Sequence, residues 1–278
     1  MARPPVTVVI PTYNRPEYLE EALRSLEQQT LLPDEVVVVD DGSDPPPQPS
    51  STIPLRLISQ ANRGPAAAIN RGVAEAAGDV VFLLADDDLF HPQRIEAALK
   101  AHAKFDLVVC GQTQFASQPS PDQLAIKKTG DGWAERVVAD FVDKTIPSMA
   151  ACSLRRDQWV PLDETYRACE DVEWWIRQAG RSLSAVRIRG DHLLVRKHSG
   201  TRHLSGTEAR LQGSLRLLEE HAEFYGARPQ ARAFRLARVS IMAGELGERR
   251  RSLTYAVRAL RCRFTKAGVY ALLRSASP

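Results

Sequence analysis

The chain has 278 residues, an ordinary globular composition and a net charge of +3, which exclude a disordered, collagen-like or repeat protein. Its four cysteines lie far apart without a CxxC pair, the spacing of neither a zinc site nor a disulfide framework. No apolar run approaches the roughly 20 residues that span a bilayer, and no signal-peptide pattern opens the chain, so we expect a cytoplasmic protein.

The charge is distributed unevenly along the chain. From Thr201 onward there are fifteen Lys and Arg against six Asp and Glu, whereas the preceding residues hold 22 basic and 28 acidic side chains. An acidic body therefore precedes a basic C-terminal region. We predict a domain over residues 1–205 and a basic helical region over 206–278.

The first half of the chain alternates two patterns. Apolar, β-branched runs that predict strands lie at 6–10, 35–39, 55–59, 80–84 and 107–109. Stretches with apolar residues at helical spacing lie at 18–29, 65–78 and 92–104. This alternation predicts an α/β fold with a mainly parallel sheet flanked by helices.

The second half is less regular. Strands are predicted at 149–154 and 184–188, and helices at 133–142 and 170–178. Beyond Thr207 the pattern is helical, with breaks at 226–229 and 244–247, which predicts a C-terminal helical extension.

Three consecutive carboxylates, Asp86 to Asp88, end the apolar run 80–84. A buried parallel strand delivers its carboxyl end to the sheet edge where open α/β folds bind ligands. Like charges held together there need a cation, and carboxylate oxygens suit Mg²⁺ or Mn²⁺, which in turn bind phosphates. A solvated acidic turn is the alternative.

Two further polar clusters follow predicted strands, Pro11 to Arg15 and Asp40 to Asp44. Parallel strands would bring all three clusters to one edge, where a pocket would suit a nucleoside diphosphate or a similar compound. Tyr13 offers a ring for a base to stack on, and a buried Asp can accept hydrogen bonds from base N–H groups. A plain Asx turn is the alternative for Asp40 to Ser43.

A series of segments in order resembles the signatures of the family 2 glycosyltransferases, which are inverting enzymes with the GT-A fold. The segments are Val9–Asn14, Val39–Ser43, Asn62–Gly64 with Ala68–Asn70, Asp86–Asp88 and Glu170–Asp171 with Trp174–Trp175. The basic segment Arg196–Gly200 is similar to the closing segment of the family. The resemblance covers about residues 5–205.

The resemblance implies a role for each matched residue. The nucleotide would be bound by Pro11, Thr12, Tyr13, Asp40, Asp41, Asn62, Gly64 and Asp86. Asp87 aligns with the metal-binding Asp of the family, Asp88 joins it, and His198 is a candidate further ligand of the metal or diphosphate. Asp171 aligns with the catalytic base. The acidic motif of the family often begins with Asp where this chain has Ala85.

The implied activity is metal-dependent transfer of a sugar, with inversion, from a nucleotide-linked donor to an acceptor hydroxyl. The cofactor would be Mn or Mg, and the donor a UDP-linked sugar. The acceptor would be a saccharide, a lipid-linked compound or another hydroxyl compound, within cell-surface polysaccharide or glycoconjugate biosynthesis. No nucleic-acid partner is expected. For the basic C-terminal helices, a solvated face, a homodimer contact and peripheral contact with the inner face of a membrane stay open.

Other classes remain as alternatives. A Mg-dependent phosphoryl-transfer domain also places Asp residues at strand ends, but it would need an acidic pair where this chain has Pro11–Asn14. A sugar nucleotidyltransferase would need a Gly-rich basic loop after the first strand. A non-catalytic nucleotide-binding module would keep the fold alone. Glu170 and Asp171 could also act as helix-capping acids, and Trp174 and Trp175 as core residues or as an acceptor site.

Overall fold

A computed structural model describes residues 3–125, 134–137, 146–197 and 206–276, with the backbone alone at 134–137, 275 and 276. The chain divides into two compact units. The first consists of Met1–Val138, Pro147–Glu164 and Ser182–Thr201, and the second of Ala139–Ile146, Thr165–Arg181 and Arg202–Pro278. The segment Thr165–Arg181 thus groups with the C-terminal helices, although the predicted boundary near residue 205 placed it in the first domain.

In the described chain, nine strands of the first unit form one sheet. They are β1 Val6–Thr12, β2 Glu35–Asp40, β3 Leu55–Ser59, β4 Val80–Leu83, β5 Leu89–Phe90, β6 Leu107–Phe115, β7 Ala134–Val137, β8 Cys152–Arg155 and β9 Ser184–Arg196. Their order is β3-β2-β1-β4-β8-β6-β9-β5, and β7 also pairs with β9. The strands β3, β2, β1 and β4 are parallel, whereas β8, β5 and β7 join in antiparallel fashion. The predicted α/β class is confirmed, with a parallel half that carries the predicted clusters.

The parallel half is held by apolar strands buried on both faces. The side chains of Val36 to Val39 in β2 are 0% exposed, as are those of Val8 to Ile10 in β1. Continuous apolar runs are typical of parallel strands covered on both sides. Each fully buried valine contributes roughly 1.5–3 kcal/mol relative to an exposed one, so burial fixes which strands lie in the centre.

Four helices of the first unit follow strands of this sheet: α1 Pro16–Glu27, α2 Pro65–Glu75, α3 Arg94–His102 and α4 Pro121–Leu124. Proline stands at the start of α1 and α2, where its missing N–H costs no helical hydrogen bond. Leu19, Leu23 and Leu26 recur at helical spacing on α1 and are buried. The helical pattern predicted for 18–29 is therefore confirmed.

Two predicted elements need correction. The strand predicted at 149–154 begins only at Cys152, because Met149–Ala151 forms a short 3-10 helix. A helix was expected at 133–142, but Ala134–Val137 is the strand β7, which pairs antiparallel with Ser184–Arg187 of β9. The remaining residues of that prediction lie outside the described part of the chain. Pairing with a neighbouring strand here overrides the local apolar spacing, as tertiary context often overrides propensity. β6 also runs to Phe115, beyond the predicted 107–109, because β9 pairs along it.

The second unit is helical in its described residues. Its helices are α5 Glu170–Ala179, α6 Thr207–Glu220, α7 Ala222–Ala227, α8 Pro229–Glu245, α9 Arg249–Cys262 and α10 Lys266–Ala276. The two predicted breaks are confirmed at Arg228 and after Glu245. Two further breaks, at His221 and between Cys262 and Lys266, were not predicted. Helices α8, α9 and α10 share a core of Leu236, Ala237, Ala256, Ala259 and Ala271. None of the helices in the described ranges has the length and apolar character needed to cross a bilayer.

His102 lies in the core at the end of α3 and is 1% exposed. Its Nδ1 lies 3.1 Å from the carbonyl oxygen of Phe105, and its Nε2 lies 2.9 Å from Oγ of Ser153. A carbonyl oxygen only accepts, so Nδ1 carries the proton and Nε2 accepts from the hydroxyl. Burial is the main cause that lowers the pKa of His102 to about 3.

This histidine predicts an acid-sensitive fold. The unfolded chain protonates His102 below a pKa of about 6.5, whereas the folded chain keeps it neutral, so unfolding takes up a proton in acid. The free energy of unfolding should fall as the pH drops from about 6.5 towards 3, by up to about 1.4 kcal/mol per pH unit from this residue. In a His102→Asn variant, urea unfolding should show a lower stability at neutral pH and a smaller fall in acid. Equal slopes in both proteins would contradict this assignment.

Candidate functional site

The carboxyl ends of β1, β2 and β4 lie side by side at one edge of the sheet. Thr12, the last residue of β1, pairs in register with Asp40, the last residue of β2. The N–H of Asp41 donates to the carbonyl of Thr12 at 2.9 Å, and that of Leu84 donates to Val9 at 3.0 Å. The three predicted polar clusters therefore meet at the edge where open α/β sheets bind ligands.

Asp86 and Asp87 share one guanidinium group. Nη1 of Arg15 lies 3.2 Å from Oδ1 of Asp86 and 2.8 Å from Oδ2 of Asp87. The hydroxyl of Thr12 donates to the other oxygen of Asp86 at 2.9 Å. These side chains are largely withdrawn from solvent, with 8% of Asp86 and 18% of Asp87 exposed. A cation supplied by the chain thus lies between two carboxylates that would otherwise repel each other.

The environment of Asp86 acts on its acidity in opposite directions. Burial has the largest effect and raises the pKa of this carboxyl above its usual value, because the charged form loses hydration. The guanidinium of Arg15 and the hydroxyl of Thr12 favour the charged form, while the charge of Asp87 opposes it. The net effect is a raised pKa, which a further cation at this edge would lower.

Asp88 is bound to β9. Its Oδ1 accepts the backbone N–H of Arg196 at 3.1 Å, and the residue is 6% exposed. Burial, with smaller effects of the charges on Asp87 and Asp86, raises the pKa of Asp88 to about 7. The metal role of Asp88 stays a prediction, and in this structure one of its oxygens fixes the end of β9.

Arg196 is a second arginine that holds the acidic segment. Its Nε donates to the carbonyl of Asp87 at 3.1 Å, and its Nη2 pairs with Glu21 of α1 at 2.5 Å. The guanidinium carbon lies 4.7 Å from the ring centre of Tyr18 and 4.6 Å from that of Phe115. Arginine stacks on aromatic faces in this way. The residue therefore joins α1, β6 and β9 to the turn after β4.

Asp41 organises the segment that leads into α2. Its Oδ1 accepts from Nε2 of Gln60 at 2.8 Å and from the backbone N–H of Arg63 at 2.9 Å. Its Oδ2 accepts the N–H of Gly64 at 2.8 Å, one residue before α2 begins at Pro65. Charge-assisted hydrogen bonds of this kind are the stronger ones in proteins. The carboxylate thus fixes the segment that leads into α2 at the edge where β2 ends.

Asp40 forms the turn that follows β2. Its Oδ1 accepts the N–H of Ser43 at 3.0 Å, and Oγ of Ser43 accepts the N–H of Asn14 at 2.8 Å. Gly42 has φ of +84°, and a Cβ there would lie 2.9 Å from the backbone nitrogen of Asn62. Only glycine fits such a position without strain. The Asx turn considered as the alternative is present, and it lies at the shared edge.

The remaining residues predicted for the nucleotide pocket also lie at this edge. Tyr13 follows Thr12 and is 43% exposed, so its ring is accessible from solvent as base stacking requires. Pro11 is half-buried within β1, and Asn62 is exposed. These positions are compatible with the predicted roles, which stay predictions.

The predicted metal ligands are only partly within the described chain. His198 lies outside the described residues. Among the residues that the structure does describe, no group of three or more His, Cys, Asp or Glu side chains is arranged to hold a metal ion. A Mg²⁺ ion usually keeps several waters and uses one or two carboxylates together with substrate phosphates. The two carboxylates at Arg15 match that smaller requirement.

Asp171, the predicted base, belongs to the second unit. It stands in the first turn of α5 and is half-buried, and its Oδ1 accepts the N–H of Val172 at 2.8 Å. Burial has the largest effect and raises the pKa of Asp171 above its usual value, while the charge of Arg235 on α8 opposes the rise. A carboxylate with a raised pKa is a stronger base.

The residues before Asp171 are held in an unusual conformation. Cys169 has φ of +68°, in the left-handed region that residues other than glycine rarely adopt. Its Sγ lies 3.7 Å from Oγ of Ser214 on α6. Burial and the neighbouring charge of Asp171 raise the pKa of Glu170 to about 7. Strained backbone next to paired acids is frequent at functional sites.

Helix α6 supports this segment directly. The hydroxyl of Tyr166 donates to Glu220 at 2.7 Å. Gly213 approaches the backbone so closely that a Cβ there would lie 2.5 Å from the carbonyl oxygen of Ala168. The position of Asp171 within its unit therefore depends on helices that follow it by some 40 residues.

The two tryptophans of α5 are core residues. Trp174 is 1% exposed and Trp175 is 0% exposed, and their rings meet edge to face with centroids 5.2 Å apart. Of the two alternatives for this pair, the structure supports packing and not an acceptor site.

Two functional-site residues had no predicted role. Arg15 closes the cluster Pro11–Arg15, and its position next to a carboxylate-rich edge was the available signal. Arg196 opens the basic segment, but its bonds to the turn after β4 join residues more than 100 positions apart. Local spacing carries no information about such a contact.

Solved structures share this fold. TarS from S. aureus superimposes with a TM-score of 0.61 and 17% identity, covering 97% of this chain and 53% of that chain. Residues 1–349 of TarS in complex with UDP-GlcNAc give a TM-score of 0.58 at 16% identity, covering 98% of this chain and 79% of that one. This likeness shows the fold, which is of the predicted GT-A type.

Curated relatives match in sequence over part of their length. The uncharacterized glycosyltransferase YwdF of Bacillus subtilis is 39% identical over 107 residues, covering 37% of this chain and 40% of the relative. An uncharacterized glycosyltransferase of Rickettsia conorii is 36% identical over 203 residues, covering 66% of this chain and 33% of the relative. This chain thus spans well under half the length of either. The family model "Glycosyl transferase family 2" matches residues 7–157, more than half of the 278 residues, so the chain belongs to glycosyl transferase family 2.

Proposed function

We propose that this chain transfers a sugar from a UDP-linked donor to an acceptor hydroxyl, with inversion and with the help of Mg²⁺ or Mn²⁺. The observation that carries the proposal is the pair of carboxylates, Asp86 and Asp87, at the sheet edge beside the loop that Asp41 holds. Membership of the family supports glycosyl transfer. The TarS structure with UDP-GlcNAc supports UDP as the carrier by similarity of fold.

The nucleotide would bind where the three polar clusters meet. Tyr13 would stack on the base, and the loop 60–64 would border it. Asp41 holds that loop through the backbone N–H groups of Arg63 and Gly64 and the side-chain amide of Gln60. Asp86 would reach the ribose or diphosphate. An exposed aromatic ring beside a rigid polar loop supplies both stacking and hydrogen bonding.

The donor set at this edge fits a divalent cation. Asp86 and Asp87 present oxygens to one positive group already, the guanidinium of Arg15, and this supports a site for positive charge at the edge. Asp87 would hold the metal, with Asp88 and His198 as further candidates. When bound, Mg²⁺ or Mn²⁺ would act as a Lewis acid that stabilises the departing diphosphate. Arg15 would then give up part of its contact with the two carboxylates.

Asp171 is proposed as the general base. In an inverting displacement the acceptor oxygen bonds to the anomeric carbon, the bond to the nucleoside diphosphate breaks, and the hydroxyl proton passes to the base. Burial raises the pKa of Asp171, so its carboxylate accepts this proton more readily than a solvated aspartate would. No covalent sugar–enzyme intermediate is needed, because inversion is completed in one displacement.

The acceptor is proposed to be a saccharide, a lipid-linked compound or another hydroxyl compound of cell-surface polysaccharide or glycoconjugate assembly. Screening nucleotide sugars for slow hydrolysis by mass spectrometry, with and without Mn²⁺, tests the donor and the metal together. Release of UDP from one sugar donor, dependent on Mn²⁺, is the expected result. Nucleotide binding without turnover of any donor or acceptor would favour a non-catalytic module.

The first prediction concerns the metal. Asp87→Ala should abolish the Mn²⁺ dependence of UDP binding measured by calorimetry, because the remaining carboxylates cannot rebuild the same site. Asp79→Ala is the matched control, since Asp79 is an exposed aspartate next to the opposite end of β4.

A second variant tests the metal site in the opposite direction. Arg15→Gln removes the cation that lies between Asp86 and Asp87 and should tighten Mn²⁺ binding in the absence of nucleotide. Unchanged Mn²⁺ dependence in Asp87→Ala would exclude Asp87 as the ligand.

The second prediction concerns the nucleotide loop. Asp41→Ala removes three hydrogen bonds to one carboxylate and should lower the free energy of unfolding by about 2 kcal/mol. UDP affinity should fall as well, since the backbone of 60–64 loses its anchor. Asp44→Ala, at an exposed aspartate of the same turn, is the control and should leave both quantities unchanged. Wild-type UDP affinity in Asp41→Ala would show that this loop does not border the nucleotide.

The third prediction concerns the base. Asp171→Asn keeps the shape and removes the basicity, so turnover should fall by roughly 10²-fold or more, while UDP affinity changes little. The carboxamide can still accept the N–H of Val172, so the melting temperature should stay close to that of the wild type.

Glu170→Gln is the comparison variant, because it changes the neighbouring acid in the same way. It should lower turnover less than Asp171→Asn does. If Asp171→Asn retains turnover within a few-fold of wild type and Glu170→Gln does not, Glu170 is the base.

A further inference from the structure

The last two helices carry cations without compensating acids. Between Arg249, where α9 begins, and Ala276, where α10 ends, there are eight Lys and Arg and no Asp or Glu. A solvated helix face usually mixes both signs of charge. This segment is therefore the most one-sidedly basic part of the described chain that regular structure covers.

Helix α10 has an inner and an outer face. Ala271 is fully buried, and Gly268 packs against Leu260 of α9. On the outer face, Lys266, Tyr270 and Leu273 follow at intervals of four and three residues, and Tyr270 is 53% and Leu273 65% exposed. Residues at this spacing lie on one side of a helix. The outer face thus combines a cation with large apolar groups.

The connection between α9 and α10 continues this surface. Phe264 is 80% exposed, which is the highest value for a large apolar side chain in the described residues. Arg261, Arg263 and Lys266 surround it in sequence and are exposed. Within the described ranges, none of these three cations forms an ion pair with a carboxylate. We call Arg261, Arg263, Phe264, Lys266, Tyr270 and Leu273 the cationic-aromatic patch.

Neighbouring cations do have acidic partners. Arg274 lies 3.5 Å from Glu245, and Arg251 lies 2.9 Å from Glu248. These two arginines are therefore not counted in the patch. Arg249, Arg250 and Arg258 also form no ion pair within the described residues, but the three cations of the patch are those beside exposed Phe264 and Tyr270 in sequence.

We propose that the cationic-aromatic patch binds the surface of an anionic lipid bilayer. Lys and Arg beside exposed Phe, Tyr and Leu match a headgroup region that is negatively charged outside and apolar beneath. Exposed apolar groups of this size have an unfavourable free energy in water that burial among acyl chains relieves. One bilayer surface can therefore bind both the cations and the apolar side chains of the patch.

Two other occupants match less well. A nucleic acid offers phosphates for the cations but no apolar layer for Leu273 and Phe264. A symmetric dimer through the patch would bring two copies of it together and crowd six cations without acidic partners into one interface, which is unfavourable. The bilayer is the partner that the combination favours.

This inference does not rest on the proposed transfer reaction. If both hold, the enzyme would act beside a membrane, as a lipid-linked acceptor requires. If the transfer proposal fails, vesicle binding by the patch is still expected.

The test uses the full chain and sedimentation with vesicles. Vesicles of phosphatidylcholine mixed with phosphatidylglycerol should bind the protein at low salt, and binding should weaken as salt is added. Each cation near an anionic surface contributes about fivefold in affinity, so the triple variant Arg261→Gln/Arg263→Gln/Lys266→Gln should bind about 100-fold more weakly. The double variant Phe264→Ser/Leu273→Ser should bind at least roughly tenfold more weakly.

Two matched controls distinguish a specific effect of the patch from the general effects of a lower net charge and of a lost apolar side chain. Arg24, Lys104 and Arg189 are exposed cations of the first unit, and their replacement by Gln removes the same charge. Leu32→Ser removes an exposed leucine of the first unit, 45% exposed. Both controls should bind vesicles as the wild type does. Because all the substituted side chains are exposed, melting temperatures should change little.

The outcomes divide clearly. Loss of vesicle binding in the two patch variants, with retention in both controls, supports the proposal. Absence of wild-type binding to anionic vesicles, or equal loss in the charge control, overturns it. A wild-type dimer in sedimentation velocity that Phe264→Ser converts to monomer, or tight binding of an oligonucleotide in place of vesicles, would assign the patch to another partner and also overturn it.

Discussion

Carboxylates that end a buried strand repel one another, and the sheet edge of this protein depends on two arginines that relieve that repulsion. Arg15 lies between Asp86 and Asp87, and Arg196 bonds to the turn through both its backbone and its side chain. Both come from elements distant in sequence from β4. The acidic turn is therefore a product of the tertiary fold, since isolated it would be a run of mutually repelling charges.

In this arrangement the single positive charge of Arg15 serves both Asp86 and Asp87. A guanidinium is always charged and cannot leave, but its side chain can rotate away when another cation arrives. A cation proposed to bind at Asp87 would therefore compete with Arg15 for that carboxylate, and a bound diphosphate would offer Arg15 other oxygens. An edge of this kind keeps its carboxylates together before any ligand is present.

Much of the first unit could be predicted from local sequence. Apolar runs such as Val36–Val39 identify parallel strands, and parallel strands place Thr12, Asp40 and Asp86 at one edge. Turn chemistry also follows from local rules, as the glycine at position 42 illustrates. These features depend on neighbours within a few residues or on the general geometry of a parallel sheet, so a single sequence contains them.

Other features depend on pairing between distant segments. The strand β7 exists because β9 offers it hydrogen bonds, whereas its own residues suggested a helix. The contacts of Arg196 with the turn after β4, and those of α6 with the segment before Asp171, likewise join remote positions. Propensity and periodicity describe a chain locally, and they do not predict which distant segment packs against a given residue.

The discontinuous second unit has a consequence for synthesis on the ribosome. Helix α5 is made first, and the helices that hold its start, α6 and α8, are complete only after Glu245, roughly 65 residues later, or about 3–13 s at ordinary elongation rates. During that interval the segment before Asp171 lacks the contacts that Gly213 and Glu220 of α6 supply. The yield of chains with a correctly placed Asp171 should therefore depend on how quickly this stretch of message is translated.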